Sequence, residues 1–224
     1  MQRSEAVDLC ARRLGYRTNK NDEIAVEMQL AQQRLEQGVI VANEEQQVFT
    51  FHPYFLLSEL ESKLTTIGEE RIPVPDAFLK EAEPDALWRY NAAATEATEV
   101  WTVLCKDDLD HLRKRYSGSG QPAAYALTGR YFRLLPTPDK EYVIRMLYYK
   151  ADTVLNAPSV ENKWLNYAHL LLCAETVKNM APSLRDTFPM QWAQATYKEE
   201  ALRLWMQSED RTHTNRRYVM GGAD

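Results

Sequence analysis

Helical spacing governs both ends of the chain, and a period of two governs its middle. Val7, Cys10, Ala11 and Leu14 fall on one face of a helix, with Ser4 as the candidate cap and Gly15 as the stop. Beyond the polar turn at 19–22, Ile24, Met28, Ala31 and Leu35 repeat the three-four spacing. Asp22 and Glu23 stand at the positive end of that helix dipole, and Gly38 closes it. Residues 1–38 are therefore expected as a hairpin of two antiparallel helices.

From 39 to 150 the short runs at 48–51, 86–90 and 100–104, separated by Pro, Gly and Asn, predict an antiparallel β region, either a sheet or a small barrel. The clearest hairpin joins 123–127 to 131–135 through Thr128-Gly129, where glycine tolerates a positive φ. In the longest predicted strand, 141–150, Tyr142, Ile144, Met146 and Tyr148 alternate with Val143, Arg145, Leu147 and Tyr149. Both faces are substantially apolar, so the strand is expected to be covered on both sides. Residues 106–115 place acids first and bases last, as one helix within this region requires.

Residues 151–208 return to the helical period. Trp164, Leu165, Ala168, Leu171, Leu172 and Glu175 form one stripe, and Met190, Ala193, Tyr197, Ala201, Leu204 and Ser208 form another. Pro182 and Pro189 punctuate the connection between them. The predicted fold class is α+β, with the helical hairpin and a C-terminal helix pair packed together and a central antiparallel β region. Residues 209–224 hold no apolar repeat and are expected as an extended tail, in which Arg211, His213, Arg216 and Arg217 interleave with Thr, Asn and Tyr218 ahead of Met220. Such a segment either frays or orders on a partner.

Composition narrows the function classes. The chain of 224 residues is 45% hydrophobic and 26% charged, which is an ordinary globular balance. Charge appears within the first eight residues and no run approaches the ~20 apolar residues of a membrane span, so a soluble protein made in the cytoplasm is expected. Net charge of −5 disfavours general nucleic-acid binding. Cys10, Cys105 and Cys173 are odd in number and far apart, predicting free buried thiols.

No catalytic or metal-binding pattern emerges. His52, His111, His169 and His213 share no ligand spacing; His169 is expected in a core or interface and His111 in solvent. The pairs Glu44-Glu45, Glu69-Glu70 and Asp107-Asp108 are adjacent in sequence, whereas catalytic carboxylates converge across a cleft. They fit solvated loops and helix starts. Ser117-Gly-Ser-Gly120 lacks the lysine of a phosphate loop and follows a helix, so it is expected as a linker turn. Trp88, Trp101, Trp164, Trp192 and Trp205 suit a core or a protein interface. No cofactor is expected. The rival enzyme reading is a small cell-wall hydrolase using Glu or Asp near the aromatic strands.

A further pattern runs through Glu5-Ala-Val-Asp-Leu-Cys-Ala-Arg-Arg-Leu-Gly15, Pro53-Tyr-Phe-Leu-Leu-Ser58, Ile72-Pro-Val-Pro-Asp-Ala-Phe-Leu79 and Tyr116-Ser-Gly-Ser-Gly-Gln-Pro122. It continues through Leu134-Leu-Pro-Thr-Pro138, Tyr148-Tyr149, Asn162-Lys-Trp-Leu165 and the helix end from Arg203 to Arg211. In this order the chain resembles the head-to-tail adaptor (connector) proteins of tailed bacteriophages. The resemblance implies a virion structural protein at the capsid vertex, not an enzyme. It implies a ring of copies, typically dodecameric, beneath the portal protein, lengthening the channel through which DNA passes without sequence-specific binding. It also implies docking of the tail or a tail-accessory (nozzle) protein, no membrane partner, and a C-terminal segment that reaches the portal. Here that segment offers Arg211, His213, Arg216, Arg217, Tyr218 and Met220.

Overall fold

The computed structural model describes residues 1–42, 48–58, 61–82, 86–90, 101–184 and 187–220, and all of their side chains but those of 18, 61 and 212–220. Its helices are α1 (Arg3–Arg13), α2 (Asn21–Gln37), α3 (Leu109–Arg115), α4 (Lys163–Tyr167), α5 (His169–Met180) and α6 (Thr187–Met220). Its strands are β1 (Val39–Ala42), β2 (Val48–Phe51), β3 (Glu61–Leu64), β4 (Arg71–Pro73), β5 (Phe78–Glu81), β6 (Leu87–Tyr90) and β7 (Trp101–Val103). They continue with β8 (Cys105–Lys106), β9 (Ser119–Gly120), β10 (Ala124–Thr128), β11 (Tyr131–Leu135), β12 (Thr137–Pro138), β13 (Val143–Met146) and β14 (Tyr148–Lys150). The chain is α+β and divides into a helical unit, Met1–Leu56 with Ala151–Asp224, and a sheet unit, Leu57–Lys150.

In the helical unit, α1 is not capped by Ser4. Gln2 precedes it, and the Gln2 N–H donates to Glu5 Oε2 at 2.8 Å, half of a capping box. The N–H groups of Arg3 and Ser4 donate to the carbonyls of Val160 and Pro158, both at 3.0 Å. Tertiary acceptors thus satisfy the free donors of the first turn, leaving no place for a serine cap. On α2 all four predicted positions, Ile24, Met28, Ala31 and Leu35, are buried. Gly38 ends it with φ +140°, where a Cβ would lie 2.1 Å from Thr50 Cγ2; only glycine lets the chain turn so closely into β1.

β1 and β2 pair antiparallel, Val39 opposite Phe51 and Val41 opposite Phe49. They belong to the helical unit, not to the central β region expected to begin at 39. The Phe49 ring meets Trp205 of α6 edge-on at 5.0 Å, and the Ile40 N–H donates to the Tyr197 hydroxyl at 3.3 Å. An alternating strand shows which face is apolar but not which element covers it.

The first C-terminal stripe is buried from Trp164 to Glu175 as its spacing requires, yet Ala168, at φ −143° and ψ 31°, breaks it into α4 and α5. Asn162 caps α4 by accepting from the Leu165 N–H at 3.0 Å. α5 packs among α1, α2 and α6, so its middle, Leu171–Val177, is buried all round. On α6, Ala193, Ala201, Leu204 and Ser208 are buried while Met190 and Tyr197 are half-buried. Pro189 lies in its first turn, where a missing N–H costs nothing. α6 then continues to Met220, so the backbone of 209–220 is helical and not the extended tail expected there.

A polar knot ties the end of α2 to the segment after residue 151. The buried Glu36 carboxylate accepts from Gln32 Nε2 at 2.9 Å, the Asp152 N–H at 3.0 Å and Trp164 Nε1 at 3.3 Å. Gln32 also donates to the Thr153 carbonyl at 3.1 Å and accepts from the Leu155 N–H at 3.3 Å. Burial pushes the Glu36 carboxyl above the usual carboxylate range, against the pull of those hydrogen bonds. The folded state therefore holds this proton more tightly than the unfolded chain. Its contribution to stability is complete below the unfolded pKa and is lost as pH rises through the folded value. In Glu36→Gln that loss is absent: the dependence of Tm on pH above about 4 flattens by calorimetry, and an unchanged slope would exonerate Glu36.

The described residues of the sheet unit form two four-stranded sheets, ordered β4-β11-β10-β8 and β3-β13-β6-β7, with two-stranded pairs β9–β12 and β5–β14. The sheets are open, so of the two expected forms the described residues make sheets and no closed barrel. Most pairings are antiparallel; β8–β10 and β9–β12 are parallel, and the latter gives the expected linker at 117–120 a strand role. The β10–β11 hairpin forms as predicted, with Thr128 opposite Tyr131 and Gly129 at φ +60°. The core gathers Ile72, Leu87, Leu104, Tyr125, Phe132, Leu134, Ile144 and Met146.

The strand predicted over 141–150 is broken at Leu147. β13 pairs with β3 and β6, whereas β14 pairs with β5. Tyr142, Ile144, Met146 and Tyr148 are buried, but Val143, Arg145, Leu147 and Tyr149 are half-buried. Only one face is fully covered; on the other the Arg145 guanidinium lies over the Trp101 ring at 3.9 Å. At the base of the unit Leu57 forms an antiparallel bridge with Tyr149, and the Ser58 N–H donates to the Tyr148 carbonyl at 2.8 Å.

Candidate functional site

Among the described residues, Asp107, Asp108, Glu70 and His111 have structural partners. Asp108 caps α3 by accepting from the Asp110 N–H at 2.9 Å, and Asp107 accepts from the Asp108 N–H at 2.7 Å. Glu69 is exposed. Glu70 pairs with Arg133 and, at 3.3 Å, with Arg113. Glu44 and Glu45 lie outside the described residues. His111 is exposed, 3.6 Å from Asp107; His52 and His169 are half-buried. Trp164 is buried, and Trp88, Trp101, Trp192 and Trp205 are half-buried.

Cys10 and Cys173 are buried, but Cys105, expected to be buried, is exposed; it stands in the two-residue β8, too short to show which face it presents. The Cys173 thiol, with burial, raises the Cys10 thiol well above its usual pKa, which makes it inert. Among the described residues no three His, Cys, Asp or Glu side chains gather as a metal site, and no helix is long and apolar enough to cross a membrane.

The end of α6 has a built root. The Ser208 hydroxyl, buried, donates to the Leu204 carbonyl at 2.8 Å and accepts from the Tyr54 N–H at 3.1 Å. One turn later the Arg211 guanidinium sits over the Tyr54 ring, 3.9 Å from its centroid. Tyr54 opens a short 3-10 turn, Tyr54–Leu56. Its neighbour Phe55 stacks on Tyr167 at 5.6 Å and meets the buried Trp164 edge-on at 5.1 Å; Tyr54 itself lies 6.3 Å from Tyr167.

Of the six tail residues singled out by sequence, only the side chain of Arg211 is described. His213, Arg216, Arg217, Tyr218 and Met220 continue the helix in their backbone, and their side chains lie outside the described residues. Sequence reasoning placed Tyr54 in the Pro53-Tyr-Phe-Leu-Leu-Ser58 motif but gave it no part in holding α6. Its one signal was the aromatic Tyr54-Phe55 pair after Pro53, far from α6 in the chain.

The chain combines two compact units with a long C-terminal helix rooted at Tyr54. The family model of the SU10 adaptor protein matches residues 2–219, and the chain belongs to that family of bacteriophage head-to-tail adaptors. No curated protein matches it. The resemblance carried by the sequence motifs is thereby borne out. Membership makes the chain a phage structural protein of a generally non-enzymatic family, with portal and tail components as partners in general and the virion as its place.

Proposed function

We propose that the chain assembles as a ring, typically dodecameric, beneath the portal, where it lengthens the DNA channel and offers a surface to the tail or a nozzle protein. The observation that carries this reading is the family match across residues 2–219. A ring needs a heterologous interface, in which two different faces of one copy meet. The outer face of α2, with Val26 59% and Leu30 41% exposed, supports one such face, since apolar area of this kind is stabilised by cover. Net charge of −5 suits a channel through which DNA slides without being held.

The same reading makes the end of α6 the portal-docking arm. His213, Arg216, Arg217, Tyr218 and Met220 lie on its last turns, and His213, Arg217 and Met220 keep the four-three spacing of one helical face. An acidic, partly apolar groove is the chemistry such a helix fits. Electron microscopy of the purified chain mixed with the portal of the same phage tests the proposal. A ring seated on the portal is expected; a portal that stays bare at saturating concentration would refute it.

A further inference from the structure

We propose that Tyr54 is the positioning residue of the docking helix, and that Arg211 acts inside the molecule and not on the partner. This rests on the docking reading above and assigns its residues different roles. Arg211 is paired with the Tyr54 ring at 3.9 Å, a cation–π geometry. The backbone of the same tyrosine holds Ser208, three residues earlier on α6. One residue therefore grips the helix at two points one turn apart, through its N–H and through its ring.

The grip is anchored. Ser208 is buried, and the turn that begins at Tyr54 rests on Phe55, Tyr167 and Trp164. Beyond Arg211 the helix runs on as far as Met220. At a rise of 1.5 Å per residue that stretch spans about 14 Å, so a 10° change of direction at Arg211 moves its far end by about 2 Å and the positions of Arg216 and Arg217 by about 1.5 Å. A displacement of that size is enough to take Arg216 and Arg217 out of register with charges fixed on a partner. The clamp sets where the arm points, and the residues beyond it do the docking.

The full chain and the portal of the same phage provide the test, with two readouts. In the free chain, amide exchange over 205–212 is expected to speed up roughly two- to fivefold in Arg211→Gln and in Tyr54→Ala, the factor that a partly exposed cation–π contact supplies. Portal affinity is expected to fall by a similar factor, roughly two- to fivefold, in each variant and no further in the double variant. Tyr54→Phe, which keeps the ring, is expected to behave as the unaltered chain in both readouts.

The inference is overturned if Tyr54→Ala leaves affinity unchanged while Arg211→Gln lowers it, since Arg211 would then touch the portal directly. It is also overturned if Tyr54→Phe is as weak as Tyr54→Ala, or if exchange in Arg211→Gln is unaltered. Should Tyr54→Ala not fold, Arg211→Gln at its exposed site and Tyr54→Phe decide alone. Failure of the unaltered chain to bind portal sinks the docking reading instead, and the exchange readout keeps the two failures apart.

Discussion

Deleting everything after Ser208 is expected to abolish portal binding and to leave the fold standing. The cut retains Leu204 and Ser208, the last buried side chains described on α6, and with them the hydrogen bond from the Tyr54 N–H. The folded body loses the Arg211–Tyr54 contact, about 0.5–1 kcal/mol at an exposed site, together with the surface contacts of the exposed Glu209 and Asp210, which lowers Tm by only a few degrees. The deleted residues carry Arg211, Arg216 and Arg217 against Glu209, Asp210 and Asp224. Three positive charges balance three negative ones, so the truncated chain keeps its net −5. Lost binding would therefore report the arm and not a change in overall electrostatics. Co-sedimentation with portal rings measures it, and a truncated chain that still binds with unchanged affinity rules the arm out.

The largest stability effect is expected at Trp164. Its ring has no exposed area, meets Phe55 edge-on at 5.1 Å and donates Nε1–H to Glu36 at 3.3 Å. Trp164→Ala opens a cavity and removes one of the donors to a buried carboxylate, so the large-to-small series sets a cost of about 3–5 kcal/mol. For a unit of this size that corresponds to a fall in Tm of roughly 10–20 °C. Trp164→Phe restores much of the ring but not the donor, and is expected to lie between the two. A cost below about 1 kcal/mol in the alanine variant, read by denaturant titration, would contradict this packing.

Local periodicity made much of this legible. The buried face of α2 is set by four residues, and the β10–β11 hairpin by alternation around one glycine, because both are decided by contacts a few residues apart. The features that escaped depend on distant partners. Ser4 looks like a cap until the carbonyls of Pro158 and Val160 take its place. The run at 141–150 looks like one strand until its halves pair with different neighbours.

The helix beyond Ser208 escaped for another reason. Residues 209–220 have no apolar period, but extending an existing helix adds one hydrogen bond per residue ordered and avoids the cost of a new nucleus. Arg211 was recognised as a candidate, but its place over Tyr54, 157 positions earlier in the chain, left no trace in spacing. The family motifs were legible because they run in order along most of the chain, and the match across 2–219 rests on the same breadth.

The bridge between Leu57 and Tyr149 has a consequence for how the protein can change size. The sheet unit starts and finishes side by side, so to the helical unit it is a long loop tied at its base. Closing a loop costs free energy that grows only logarithmically with its length, about 0.6 kcal/mol for each doubling. Strands can be added to or trimmed from 57–150 at little expense to the helices that carry α6. In the sequence of the helical unit, the sheet unit is thus an insert whose length can change at small cost in chain closure.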